Sequence, residues 1–267
     1  MPSRSKSTSE SLAPEVLACP PDVPVRVDSA VVGPGSFYLR FGKRCVDVLL
    51  SLSSIIVLAP ILLSIGVLVK LDSMGPVLFR QLRVGKDGRL FRILKFRSMV
   101  NGAERIGPGI TAANDLRITR VGRFLRQWKL DELPQLWNVL KGEMSFVGPR
   151  PELPSYVAQY SDEQRAMLRM RPGITDAASI RYRDEELLLE RSSNAEQFYC
   201  EKILPEKLTL NLKYLKDLSF AHDLSLLLFT LKSVARHSVP ERKTDSSLPS
   251  HHGRESELQR RTKKIPT

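Results

Sequence analysis

The sequence predicts an α+β, mainly helical fold: a re-entrant membrane helix hairpin, a small β-hairpin and interfacial amphipathic helices around one cytosolic domain. Three observations lead there. Val48 to Val69 contains no charged residue, and as a helix it extends about 33 Å, close to the hydrocarbon thickness of a bilayer. Two apolar-basic runs flank Gly85-Lys86-Asp87-Gly88, the pattern of a β-hairpin. Leu133, Leu136, Trp137 and Leu140 recur at the spacing of one helical face.

Size and charge set the frame. The chain has 267 residues, with 41 Lys and Arg against 29 Asp and Glu, a formal charge of +12. That is room for one ordinary domain plus tails, and it favours an anionic partner. Cys19, Cys45 and Cys200 show neither paired nor metal-ligand spacing, so they read as reduced. His251-His252 lies in a polar tail, which argues against a histidine-based site.

Residues 1–36 are rich in Ser, Pro and Val without a helical or strand period, and read as a disordered tail with no signal-peptide pattern. Residues 37–72 form the membrane region. Pro60 stands in the middle of its apolar run, where it frees the carbonyl of Ile56 and bends the helix. Lys43 and Arg44 precede the run and Lys70 follows it. Cationic flanks prefer the cytosolic side, so a bent segment can enter and leave through one leaflet. A straight spanning helix and a buried core helix stay as alternatives. Ser53 or Ser54 is a candidate to bend back onto the carbonyl freed by the proline.

Pro76 to Phe96 reads as the hairpin, with Lys95 and Arg97 on one face. From Arg80 to Lys129 there are about thirteen basic residues and three acidic ones, more than a solvated surface carries. Part of this bias suits an anionic membrane surface, at about 1 kcal/mol per charge, and the rest suits phosphates. Residues 101–115, with Gly107-Pro108-Gly109, read as a loop that either covers a site or merely connects. Asn114-Asp115 is the candidate cap for a helix carrying Arg123 and Arg126.

The centre of the sequence is Leu125 to Glu152. Pro134 fits the first turn of its short helix and Gly142 its C-terminal stop. Asp131-Glu132 therefore sits at a helix start, where carboxylates and phosphates are both favoured. The bland reading is that the pair only caps the helix. Further on, Ser161-Asp162-Glu163-Gln164 has the form of a capping box. Pro205 to Leu218 reads as a helix opened by proline, and Leu224 to Leu231 as an interfacial segment too short to span. Residues 73–234 make up the cytosolic domain with these interfacial helices, and 235–267 a disordered basic tail.

Several stretches, in order, resemble the bacterial sugar transferases, the monotopic phosphoglycosyl transferases. They are Lys43-Arg44 with Asp47, Gly75-Pro76-Val77-Leu78-Phe79-Arg80-Gln81 and Lys95-Phe96-Arg97-Ser98-Met99. Then come Leu130-Asp131-Glu132-Leu133-Pro134-Gln135, Gly148-Pro149-Arg150-Pro151-Glu152 and Arg171-Pro172-Gly173-Ile174-Thr175. The resemblance runs from about Lys43 to about Leu218. It implies a cytosolic catalytic domain on the bacterial inner membrane that moves a phosphosugar from a nucleotide sugar, a UDP-sugar by expectation, to polyprenyl (undecaprenyl) phosphate. It implies Asp131 as nucleophile, Glu132 as metal or proton partner, and Mg²⁺ held by Asp131 and Glu132. Lys95, Arg97, Arg126 and Arg150 are the expected phosphate-binding residues, although Arg150 alternatively only buttresses its loop. Ala59 replaces a Ser common before the proline, and Asp176 replaces a Gly; the latter is expected to bear on nucleotide or sugar choice. A homo-oligomer is compatible with the sequence. Nucleic-acid binding has no recognition-helix or zinc signature behind it, and the intact acidic pair argues against an idle scaffold.

Overall fold

A computed structural model describes residues 38–103, 106, 111, 115–192 and 194–235. The expected N-terminal tail, Gly107-Pro108-Gly109, Asn114 and nearly all of the expected C-terminal tail lie outside the described residues. The first long element is α1 (Lys43–Asp72), a 30-residue helix that continues through Pro60. It is followed by the antiparallel hairpin of β1 (Leu78–Val84) and β2 (Leu90–Phe96), paired from Leu78↔Phe96 to Val84↔Leu90. Next come α2 (Arg120–Gln127), a 3₁₀ turn over Leu130–Glu132 and α3 (Gln135–Lys141).

Beyond α3, β3 (Ser145–Val147) leads through the short helices α4 (Pro154–Val157) and α5 (Asp162–Arg165) to β4 (Gly173–Thr175). The remaining helices are α6 (Ala177–Arg181), α7 (Glu185–Glu190), α8 (Ala195–Phe198), α9 (Leu204–Lys216) and α10 (Phe220–Ala235). The expected hairpin, capping box and proline-opened helix are all present. Ser161 and Gln164 satisfy each other's backbone N–H groups at 3.3 and 2.9 Å. Helix α2 is capped by Thr119, which accepts from Gly122 N at 3.0 Å, and not by Asp115. Asp115 instead pairs with Arg117.

One feature had no signal in the sequence: β3 and β4 pair in parallel. Their strands are only three residues long, below the length at which alternation can be read. The pairing depends on two glycines. A Cβ on Gly173 would lie 2.2 Å from Gly148 N, and one on Gly148 would lie 2.6 Å from Arg171 O. Any side chain at either position would push the two strands apart.

Helix α1 is anchored at both ends to the same globular body. At its N-terminal end, Arg44 donates to the carbonyls of Val139 (2.6 Å) and Leu140 (2.8 Å), at the C-terminal end of α3, where a cation is favoured. Asp47 accepts from Ser145 Oγ and Phe146 N, each at 3.0 Å. At the other end Ile65 and Val69 pack with Phe96 and Leu125, and Asp72 accepts from Val121 N at 3.2 Å. Between these anchors the helix is bare: Ile56 is 65% exposed, and Val57 and Leu63 are each 72% exposed. Its most apolar 18-residue window has a mean hydropathy of 2.6, and only 11% of that window is buried. Ser53 does not serve the carbonyl freed by Pro60. Its hydroxyl donates backwards, to Leu49 O (2.8 Å) and Leu50 O (3.1 Å), because helical side chains lean toward the N-terminus.

Helix α3 inverts part of the expected face. Trp137 is half exposed, while Asn138 and Val139 are buried. Asn138 closes the edge of β2: Oδ1 accepts from Leu94 N (3.0 Å), and Nδ2 donates to Arg92 O (2.9 Å) and to Glu143 (2.6 Å). Gly142 ends the helix at φ 88°, a left-handed turn that favours glycine. We predict that Asn138→Ala lowers stability by about 2–4 kcal/mol, since it orphans buried backbone groups. Trp137→Ala, next to it but half exposed, should cost clearly less. Chemical unfolding in detergent would compare the two, and equal losses would mean the Asn138 bonds contribute little.

Candidate active site

The 3₁₀ turn places its two acids in opposite settings. It follows Lys129, whose φ of 55° turns the chain sharply before Leu130. Glu132 faces the hairpin and the Gly148–Pro151 loop. It accepts from Lys95 Nζ at 2.8 Å and forms an ion pair with Arg150. Burial alone would push the Glu132 carboxyl up, but Arg150 and Lys95 more than offset it and hold it well below the usual carboxylate range. Burial lowers the Lys95 ammonium, and Glu132 restores part of the loss.

Asp131 is 5% exposed, and its Oδ1 has no hydrogen-bond partner among the described residues. Burial raises its carboxyl above the ordinary aspartate range, only partly offset by Lys95 and Arg126, while Glu132 adds to the rise. The adjacent acids therefore part: a first proton goes to Asp131 and Glu132 stays ionised.

A cavity of about 800 Å³ opens against this turn. Glu132, Arg150 and Arg126 line it, with Leu50 and Leu58 of α1 on an apolar wall. Arg126 Nη2 is paired with Glu186 of α7 at 2.6 Å. Asp131 sits directly behind Glu132, not on the cavity wall. Arg97 is not brought to the cluster. It is 4% exposed and donates to Val69 O (3.1 Å), Ser73 O (2.6 Å) and Ser73 Oγ (2.9 Å), closing the C-terminal end of α1. Arg97 lies just past the end of β2 at Phe96, its N still donating to Val77 O at 2.9 Å, and there its side chain meets the end of α1 instead of the acidic turn. Of the six site candidates, Asp131, Glu132, Lys95, Arg126 and Arg150 thus share one neighbourhood.

The loop bearing Arg150 is held from below. Arg150 N donates to Asp176 Oδ2 at 3.1 Å, and Asp176 Oδ1 caps α6 by accepting from Ser179 N at 2.6 Å. Asp176 is 1% exposed, so it positions the arginine loop and would bear on nucleotide or sugar choice only through that loop. Glu152 is also engaged, by Tyr199 Oη at 3.0 Å and by Arg83 at 3.8 Å. Nothing in a single sequence signalled these supports, because their partners lie 26 to 69 residues away along the chain.

Among the described residues no three His, Cys, Asp or Glu side chains converge as a metal cage. Mg²⁺ does not require one, since it binds through one or two carboxylates plus substrate phosphates and water. The unpartnered Asp131 Oδ1 is the oxygen that fits such an ion, whereas both Glu132 oxygens already meet cations.

Residues 38–237 match the family model described as bacterial sugar transferase. The chain is 47% identical over 143 residues to a UDP-N-acetylgalactosamine-undecaprenyl-phosphate N-acetylgalactosaminephosphotransferase of Aeromonas hydrophila, covering 52% of this chain and 34% of the relative. It is 42% identical over 194 residues to a UDP-glucose:undecaprenyl-phosphate glucose-1-phosphate transferase of Klebsiella pneumoniae, covering 71% and 39%. A protein of the same description from Caulobacter vibrioides is 38% identical over 197 residues, covering 72% and 69%. The chain thus spans well under half the length of the first two relatives. With the matched region enclosing the acidic turn, the arginine loop and all of α1, the chain belongs to the bacterial sugar transferase family.

Proposed function

We propose that this protein transfers a phosphosugar from a nucleotide diphosphate sugar to a polyprenyl phosphate, releasing the nucleoside monophosphate, at the cytosolic face of the bacterial inner membrane. Such transfer is the first membrane step in assembling an exopolysaccharide, capsule, O-antigen or protein-linked glycan. The substrates named for the relatives, UDP-sugars and undecaprenyl phosphate, support the class, and their differing sugars leave this chain's sugar open. The observation that carries the reading is the split acidic pair beside a large cavity lined by Arg126 and Arg150 and by Leu50 and Leu58 of α1.

Asp131 is the nucleophile in this reading because its Oδ1 is uncommitted, whereas Glu132 is neutralised by two cations. A carboxylate oxygen of Asp131 attacks the phosphorus that bears the sugar. The bond from that phosphorus to the nucleotide's bridging oxygen breaks, and the nucleoside monophosphate leaves with the electron pair. An oxygen of the lipid phosphate then attacks the same phosphorus and frees the Asp131 carboxylate. Asp131 must turn out of its buried position for the first step. Arg150 and Arg126 line the cavity where they can meet phosphate oxygens. Mg²⁺, held by Asp131 and the substrate phosphates, with Glu132 adjoining, would neutralise diphosphate charge.

The bare middle of α1 between two anchored ends supports a helix that dips into one leaflet with both flanks cytosolic. Cysteines placed at Arg40 and Ser73 should react alike with an impermeant reagent in intact cells. Labelling of one and not the other would show a spanning helix.

Covalent transfer makes a kinetic prediction. Without lipid acceptor, enzyme and nucleotide sugar should release a stoichiometric burst of nucleoside monophosphate and leave a hydroxylamine-labile phosphosugar on the Asp131 peptide. Full kinetics should be ping-pong, and Asp131→Asn should abolish burst and adduct. Sequential kinetics with an unmodified peptide would sink the covalent step. Release of nucleoside diphosphate would sink the phosphosugar reading altogether.

The raised Asp131 carboxyl also predicts a pH dependence. The nucleophile must be ionised, so kcat/KM should rise with pH through a midpoint above the ordinary aspartate range. Glu132→Gln removes a neighbouring negative charge and should move this limb down, and Lys95→Met removes a positive one and should move it up. A limb unmoved by both variants would mean that another group is being titrated.

A further inference from the structure

A second large groove lies on the other side of α1, away from the acidic turn. It encloses about 1260 Å³ between the C-terminal half of α1, the outer face of the β-hairpin and α3. Only Leu133 and Leu136 line both this groove and the candidate active site. Along α1 it runs from Ile55 to Leu71, about 24 Å of helix, longer than the roughly 15 Å depth of one leaflet, half of the hydrocarbon core.

The groove combines apolar walls with unneutralised charge. Its walls are aliphatic, and several of them are bare: Val67 is 58% exposed, and Leu82 and Leu90 are each 44% exposed. Four cations, Lys70, Arg80, Arg92 and Lys141, line it as well. Its acidic residue, Glu143, is already engaged by Asn138 Nδ2 at 2.6 Å. None of the four cations forms a salt bridge among the described residues. Trp137, half exposed, lines the same groove, and an indole with an apolar body and a polar N–H suits the headgroup level.

The strand register explains the separation from the chemistry. Arg80 stands opposite Leu94, and Arg92 opposite Leu82, so the two arginines are diagonal neighbours on one face, roughly 7–8 Å apart at their Cα atoms. Arg83 and Lys95 have the opposite parity on the same strands and point to the other face, toward Glu152 and Glu132. One hairpin thus presents a cation pair to each side. A phosphate held by Arg80 and Arg92 is screened from the acidic turn by the sheet itself, so it is not the phosphate being transferred.

We infer that this groove binds one anionic diacyl phospholipid, its phosphate between Arg80 and Arg92 and its acyl chains along α1 from Leu71 toward Ile55. The lipid fills the space between the bare helix and the hairpin, and so belongs to the way α1 is seated. The inference rests on the membrane reading of α1 and not on the transfer chemistry.

The test is native mass spectrometry of the full chain released from nanodiscs containing phosphatidylglycerol and phosphatidylcholine in equal amounts. The expected result is one retained phosphatidylglycerol per chain, with phosphatidylcholine at least about tenfold rarer. Arg80→Gln with Arg92→Gln should reduce that retention by about tenfold, since two charges near the headgroup are lost. If the double variant does not fold, Leu90→Glu, at an exposed position lining the same groove, should produce the same loss. Asp131→Asn should keep the lipid, which separates this inference from the proposed reaction. Equal retention of both lipids, or retention unchanged in the groove variants, would overturn it. Displacement by an equimolar polyprenyl phosphate would also overturn it, by making the groove an acceptor site.

Discussion

Glu132 between Lys95 and Arg150 is the contact through which the separate pieces of this protein meet. Lys95 comes from the hairpin, Glu132 from a 3₁₀ turn, and Arg150 from a loop fixed by a parallel strand pair. A buried carboxylate is costly unless paired, and two cations that share it are costly without it. Each of the three segments therefore needs the other two in place. The turn that brings Glu132 forward also leaves Asp131 behind it with an oxygen unused. A structural ion cluster and an uncommitted carboxyl oxygen thus follow from the same two adjacent residues.

Support for that cluster comes from residues with little chemistry of their own. Asp176 fixes the backbone of Arg150, Asn138 secures the edge of β2, and Gly148 and Gly173 let β3 and β4 approach. The motif Lys43-Arg44 with Asp47 belongs here too. Arg44 and Asp47 dock α1 onto α3 and β3, and Lys43 joins Asp223, which also meets Tyr38 and Tyr214. Much of the charge in these motifs serves assembly.

The hairpin, the proline-opened α9, the capping box of α5 and the apolar α1 were legible in the sequence because each rests on local rules of period, turn chemistry or capping. Asp131, Glu132 and Arg150 were singled out by a resembling motif, and the structure places them in one neighbourhood. The face of α3 was misread at Trp137, because hydrophobicity predicts burial only where the neighbouring surface is protein. Arg97 looked like a phosphate ligand because alternation says nothing about where a strand stops. The roles of Asp176 and Asn138 depend on partners distant in the chain, and no local pattern encodes those.

The double anchorage of α1 has a consequence for how the molecule comes into being. Ile65 and Val69 complete a core with Phe96 and Leu125, and Val69 O and Ser73 O receive the otherwise buried guanidinium of Arg97. Helix α1 is therefore an internal part of the globular unit and not a detachable tether. Cutting it away to obtain a water-soluble fragment would open that core and strand a buried cation. During synthesis α1 leaves the ribosome before the hairpin and α2 that close over it, so its apolar length waits for its own later partners. The core at this end of α1 closes only when segments made later reach it.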